Sequence, residues 1–257
     1  MFGEIDWPCD VLTLFRDTNL GCRLSVSGGI DWFFEHEDSG IILEDDTVPH
    51  QSFFAFCEEN LRRYANQESV AMISGNNFTS VGSCVDDSYF FSAYGGVWGW
   101  ATWKRAWGNY DRAMTWAQDG RKRKVMARLS VNQKARSYWN WAYLGVTNGI
   151  FDTWDFQWTF TVADHKQYVI VPVTNLVENI GFGNDATHTS SGEAPRPVTS
   201  GAISLPIRHC NILERKLEFE IQNARLLPER RPLVLALRGL VAGFIRYGLD
   251  PLYKRFR

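Results

Sequence analysis

The alternation of apolar and polar positions organises the first ninety residues clearly. Residues 24–37 carry Val26, Ile30, Phe33 and Phe34 at helical spacing and predict an amphipathic helix. Residues 40–43 form a short apolar run and predict a buried strand. After Pro49, residues 51–66 place Phe53, Phe54, Phe56, Leu61 and Tyr64 on helical spacing, and residues 70–73 read as a second buried strand. Helix, strand, helix, strand in so short a stretch predicts an α/β fold with a parallel sheet. Between about residues 85 and 160 aromatics and glycines crowd together and the periodicity fails. Residues 89–91 and 168–171 read as strands, and the Pro/Ser/Gly-rich residues 190–201 as part of a linker. With no internal repeat, solenoids and propellers are excluded.

Composition narrows the class. The chain has 257 residues, 45% of them hydrophobic, and a net charge of −2, which excludes disordered and coiled-coil classes. The near-balance also argues against a nucleic-acid partner, which usually demands a basic excess. Five cysteines include no CxxC pair, so a disulfide framework or zinc ribbon is disfavoured and a reducing, cytoplasmic setting is expected. The first residues lack the basic and apolar regions of a secretory signal, so the sequon Asn77-Phe78-Thr79 carries little meaning.

Charge is unevenly distributed. Residues 1–46 hold eleven acids against Arg16 and Arg23, whereas residues 228–257 hold seven bases against Glu229 and Asp250. Within that basic tail, residues 232–245 are apolar except for Arg238, too short and interrupted a run to span a bilayer. Two expectations follow: a helix packed on the core, or an interfacial helix that contacts an anionic membrane peripherally. Residues 121–136 carry seven bases and no acid, and read as a solvated helix face or loop ahead of a phosphate-contact surface.

The sharpest chemical feature is Glu44-Asp45-Asp46, directly after the strand at 40–43. Adjacent carboxylates repel, and a hard divalent cation relieves that repulsion with oxygen ligands. In open α/β sheets, ligands also collect at the carboxyl ends of strands. A solvated turn accounts for the triplet equally well when it is taken alone. The second feature is Trp154-Asp155-Phe156-Gln157-Trp158, where an acid lies between two indoles. Partial desolvation there would suit Asp155 to act as a base, and the indoles offer flat apolar surface to a sugar ring. An aromatic core segment whose Asp caps a helix is the alternative. The third feature is Asn179-Ile180-Gly181-Phe182-Gly183, followed by Asp185 and His188, where two close glycines suggest a tight turn or backbone approaching a ligand.

Taken in order, these segments resemble the GT-A-type nucleotide-sugar glycosyltransferases. They are most similar to a bacterial family-2-like group related to the eukaryotic N-acetylglucosaminyltransferase that initiates complex N-glycans. The resemblance covers roughly residues 1–190. It rests on residues 40–46, Pro49, residues 52–54, 73–77 and 97–103 with Trp98 and Trp100, then 154–158, 179–183 and 186–189. It implies a Rossmann-type mixed sheet flanked by helices. The domains expected are a partial GT-A-like domain at 1–189, a linker at 190–212 and a basic helical appendage at 213–257. The portion that grips the nucleotide base and ribose in relatives is expected to be missing ahead of Met1.

The resemblance also assigns roles. It implies a metal-dependent inverting transfer from a nucleotide sugar, most simply a UDP-sugar, to a hydroxyl of a saccharide acceptor, as in polysaccharide biosynthesis. Asp46, with His188, would hold Mn²⁺ or Mg²⁺, and Asp155 would be the catalytic base. Glu44, Asp45, Trp98, Trp100, Trp154, Trp158, Gly181 and Gly183 would contact substrate. Two other readings compete: a non-catalytic carbohydrate-binding remnant that keeps the aromatic groove, and a metal-dependent phosphate-ester hydrolase. The hydrolase needs further acids or histidines for a second metal, and the five histidines are scattered along the chain.

Overall fold

The structure is a computed structural model that describes residues 7–84, 86–181, 199–230 and 232. It is a mixed α/β fold. Helix α1 (Gly21–His36) buries Ile30 and Phe34 and leads into strand β1 (Ser39–Ile42). A tight turn connects β1 to β2 (Thr47–Pro49), and helix α2 (Gln51–Arg63) follows at once. His50 caps α2 by accepting a hydrogen bond from the Ser52 amide, and Phe53, Phe56, Cys57 and Asn60 line its buried stripe at helical spacing. Strand β3 (Val70–Ser74) is buried along its whole length, as its unbroken apolar run predicts.

The main sheet is completed by β4 (Tyr89–Ser92), β5 (Trp100–Trp103) and β6 (Tyr168–Pro172), in the order β1-β5-β3-β6-β4. Only β3 and β6 pair in parallel; β1 with β5, β5 with β3, and β4 with β6 are antiparallel. The parallel sheet expected from the element pattern is therefore corrected, and the sheet is mixed and flanked by helices, as the resemblance implied. β5, hidden in the aperiodic middle of the sequence, inserts between β1 and β3, so the two strands legible early in the chain are not neighbours. A separate ribbon pairs β2 with β7 (Val177–Asn179).

The region where periodicity fails contains most of the helices. α3 (Lys104–Trp107) and α4 (Thr115–Gln118) are single turns, and α5 (Lys122–Leu129), α6 (Gln133–Thr147) and α7 (Asp155–Asp164) are longer. Tryptophan-rich packing supplies a second core around Trp116, Trp139 and Phe160, beside the main core against the sheet. Alanines alternate there with large rings: α6 buries Ala135, Trp139, Ala142 and Val146 at helical spacing, but the half-buried aromatics Tyr138, Trp141 and Tyr143 beside that stripe blur it in the sequence.

Residues 199–212, expected as linker, run along the core. The Ser88 amide donates to the Arg208 carbonyl at 2.8 Å, and Ile203 is buried. Helix α8 (Leu217–Leu226) then docks through Phe219 and Glu220. The fully buried Glu220 accepts from the Ala93 amide at 2.8 Å and from Arg215 Nε at 2.9 Å, so its charge is paired as burial requires. No helix among the described residues is long and apolar enough to cross a membrane. The basic apolar segment 232–245 lies almost wholly outside the described residues, as do residues 182–198.

Candidate active site

The turn after β1 is fixed locally. The Thr47 hydroxyl donates to the Glu44 carbonyl at 2.7 Å and accepts from the Glu44 amide at 3.1 Å, closing Glu44-Asp45-Asp46 into a compact loop. Pairing of β2 with β7 then brings residues 179–181 alongside. The Ile180 amide donates to the Asp46 carbonyl at 2.8 Å. Gly181 approaches so closely that a Cβ built on it would lie 2.3 Å from Asp46 Oδ2, so a side chain at 181 would displace that carboxylate. Two segments more than 130 residues apart in sequence thus meet at Asp46.

Asp155 comes to the same place from α7. It occupies the first turn of that helix, where a carboxylate is favoured by the helix dipole, and accepts a short hydrogen bond from the Thr153 hydroxyl. The preceding residue, Trp154, is 2% exposed and locked among rings. Trp100 stacks on it with centroids 5.4 Å apart, and Trp107 lies 6.2 Å away. The Tyr110 hydroxyl also donates to the Trp154 carbonyl at 3.2 Å. Trp154 in turn hydrogen-bonds the Glu44 side chain.

Electrostatics record how close these groups are. Burial pushes the Glu44 carboxyl up to about 7, and the charges of Asp46 and Asp155 add to the rise. The Cys22 thiol at the start of α1 is pushed up to about 11, by burial first and then by Glu44, Asp155 and Asp152. Such a thiol is inert at neutral pH. Asp46 Oδ1 is buried without a hydrogen-bond partner. Orphaned buried carboxylate oxygens are unfavourable, and an oxygen-seeking cation is one group that satisfies them. The residues present therefore fit a divalent ion held in part by other ligands. Among the described residues no three His, Cys, Asp or Glu side chains are grouped to hold a metal unaided.

The proposed site residues divide by location. Glu44, Asp46, Asp155 and Gly181 are brought together, and Asp45 is exposed on the same turn. Trp100, Trp154 and Trp158 are each at most 2% exposed. They offer no open face to a sugar, and their role in this arrangement is to fix the start of α7. Trp98 is different: it is half-buried, its amide donates to Asn76 Oδ1 at 3.0 Å, and its ring meets Phe78. Gly183 and His188 lie outside the described residues.

Trp98 and Asp155 share a cavity of about 320 Å³. Phe78, Tyr138, Trp139 and Phe156 supply most of its aromatic wall, and Phe219 and Asn223 of α8 close one side. Asn76 belongs to the 73–77 segment that carries the resemblance, whereas Tyr138, Trp139 and Asn223 do not stand out in the sequence, because isolated amides and aromatics in an aromatic-rich region carry no distinguishing spacing. Asp152 is silent for the same reason. Its carboxylate packs on Gly21, where a Cβ would meet it at 2.3 Å, and pairs with Arg23 at 3.8 Å. No protein-family model matches the chain, and no curated protein matches it significantly.

Proposed function

We propose that the protein is a metal-dependent inverting glycosyltransferase acting from a nucleotide-sugar donor on a hydroxyl-bearing saccharide acceptor. The observation that carries this reading is the convergence of Glu44 and Asp46 with Asp155 beside a cavity lined by aromatic rings. Transfer to an alcohol needs two separate things: a place for a dianionic leaving group, and a base for the acceptor proton. Carboxylates alone would repel the leaving group, so the first role requires a cation. Asp46, through its unpartnered Oδ1, would hold Mn²⁺ or Mg²⁺ there, and when bound such an ion neutralises charge on a departing diphosphate.

The rest of the chemistry falls to the chain's own residues. Asp155 lines the aromatic cavity with its Oδ1 anchored by Thr153, so its carboxylate is oriented to accept a proton from an acceptor hydroxyl bound there. Phe78, Trp98 and Tyr138 orient the acceptor by stacking and exclude water from its path. Glu44, with a carboxyl balanced near neutrality, can donate to or accept from a sugar hydroxyl. The bond from the anomeric carbon to the donor phosphate oxygen breaks as the bond to the acceptor oxygen forms, through an oxocarbenium-like transition state.

The aromatic cavity favours one second reading, a sugar-binding protein without turnover. Thermal denaturation with UDP and Mn²⁺ separates the two. A transferase should be stabilised by the pair through mass action. Asp46→Ala should abolish that shift while leaving the ligand-free melting temperature within a few degrees. A full shift in Asp46→Ala would overturn the metal assignment, and sugar binding indifferent to both Asp46 and Asp155 would favour the binding protein.

A further inference from the structure

The basic run at 121–136 folds into one wall and one corner of an open groove of about 750 Å³, on α5, α6 and the turn between them. Lys122, Arg123 and Arg136 line it together with Ser130, Asn132 and Asn140, and no carboxylate does. Most of the other bases in the run are already engaged. Arg121 is paired with Asp119 and Asp164, Arg128 donates to the carbonyls of Lys166 and Gln167, and Lys134 donates to the Arg225 carbonyl. Arg123 and Arg136 are exposed and have no ion-pair partner among the described residues. Lys122 stands 3.8 Å over the Tyr143 ring, and burial lowers its pKa, so its ammonium is already partly stripped of water.

Three further features suit an anion. Gln133, Arg136 and Asn140 fall at i, i+3 and i+7, which puts an amide, a guanidinium and a second amide on one face of α6. The first turn of that 15-residue helix opens into the groove, with the Asn132 side chain accepting from the Ala135 amide at 2.9 Å. Its remaining first-turn amides add partial positive charge. Ser130 Oγ is buried there without a hydrogen-bond partner, a donor in want of an acceptor.

We infer that this groove is a second ligand site, distinct from the acidic cleft, that binds a phosphate-bearing anion. Arg123 and Arg136 supply forked donors that match phosphate oxygens, Lys122 a point charge, and Ser130 a hydroxyl donor. The volume exceeds that of a lone phosphate, so there is room for the group that carries it. α6 walls both sites: Tyr138 and Trp139 face the aromatic cavity while Gln133, Arg136 and Asn140 face the groove. The inference does not depend on the transferase reading, because the residues are different and the test needs no turnover.

The probe is inorganic pyrophosphate, titrated calorimetrically into the full chain in EDTA, where the carboxylates of the cleft repel it. One site is expected. Lys122→Gln/Arg123→Gln/Arg136→Gln should weaken binding by at least about tenfold, as loss of several charged hydrogen bonds requires. Lys124→Gln, the loss of a single charge on α5 outside the groove, should alter it less than about twofold. Should the triple variant fold poorly, the exposed pair Arg123→Gln/Arg136→Gln serves in its place, with a smaller loss in the same direction. Vesicles of phosphatidylglycerol in phosphatidylcholine distinguish the source of the phosphate. Sedimentation lost in the groove variant but kept in Lys124→Gln identifies a lipid headgroup, and pyrophosphate binding without sedimentation identifies a free phosphate compound. Equal behaviour of the groove variant and Lys124→Gln in both assays, or no binding of either probe by the unaltered chain, overturns the site.

Discussion

The carboxylates of the acidic cleft come from residues 44–46 and 155 and are held in register by residues 179–181, whereas the groove between α5 and α6 draws every side chain from residues 120–140. The cleft exists only when β1, the β2–β7 ribbon and the start of α7 are all in place. The groove needs two consecutive helices and the turn between them. Their charges are also handled differently. In the cleft like charges are forced together and partly desolvated, so Glu44 holds its proton up to about pH 7. In the groove Arg123 and Arg136 remain at the surface, where repulsion between them is screened by water. Like charges that the fold holds together against repulsion are what the proposed transfer chemistry would use in the cleft, and solvated ones suit the docking inferred for the groove.

The sharpest way to break that distinction is Asp155→Asn. It keeps shape and volume and the Thr153 contact, but removes the carboxylate proposed to take the acceptor proton. Transfer should fall by about 10²–10⁴-fold, the usual worth of general-base assistance, with UDP and Mn²⁺ still stabilising the protein. Pyrophosphate binding in the groove should not change. Undiminished transfer by the Asp155→Asn variant would reduce Asp155 to a helix-capping residue and move the base elsewhere.

How far each region could be read in the sequence follows from the same contrast. α1, α2 and β3 were legible because each buries one periodic stripe or one unbroken run; β1 was found by its apolar run too, but as an edge strand it is half-buried and not buried as expected. β5 was not, because Trp100-Ala101-Thr102-Trp103 is buried on both faces and sits among glycines that look like loop. The acidic triplet was visible, but Gly181 and Asp155 could be attached to it only through a resemblance. No local spacing tells that residue 181 will lie against residue 46. The basic run was visible too, yet its pattern reads as a solvated face. The difference lies in which bases find partners: Asp119 and Asp164 neutralise Arg121, and backbone carbonyls take Arg128 and Lys134, choices made by tertiary packing.

A smaller effect sharpens the comparison from the side of the groove. Asn132 caps α6 through the Ala135 amide, so Asn132→Ala should cost about 1 kcal/mol of stability. For a chain of this size that lowers the melting temperature by about 2–4 °C. The frayed first turn should also weaken pyrophosphate binding, while the UDP and Mn²⁺ shift is retained. If both ligands were affected equally, α6 would be coupling the two sites and they would not be independent.

The smallest effect is a pH dependence in the cleft, and its sign is diagnostic. Glu44 is held at about 7 in the folded chain against an ordinary value of 4.5, so the folded state keeps its proton where the unfolded chain has lost it. Below about pH 4.5 the residue is neutral in both states and contributes nothing. Between about 4.5 and 7 stability declines as the unfolded chain ionises, and above 7 the full penalty applies. Unscreened, that shift would correspond to about 3 kcal/mol; solvent at a partly exposed carboxyl reduces the expectation to on the order of 0.5–1 kcal/mol. Glu44→Gln should therefore stabilise the protein at pH 8 by about that amount and leave it unchanged at pH 4, as read by urea denaturation at both values. Adding Mn²⁺ with UDP should erase the benefit, since a cation at Asp46 lowers the cost of ionising its neighbour. A stabilisation of equal size at pH 4 and pH 8 would mean that the substituted amide acts through packing against Trp154, and that the crowding of charge in the cleft is not what distinguishes it from the groove.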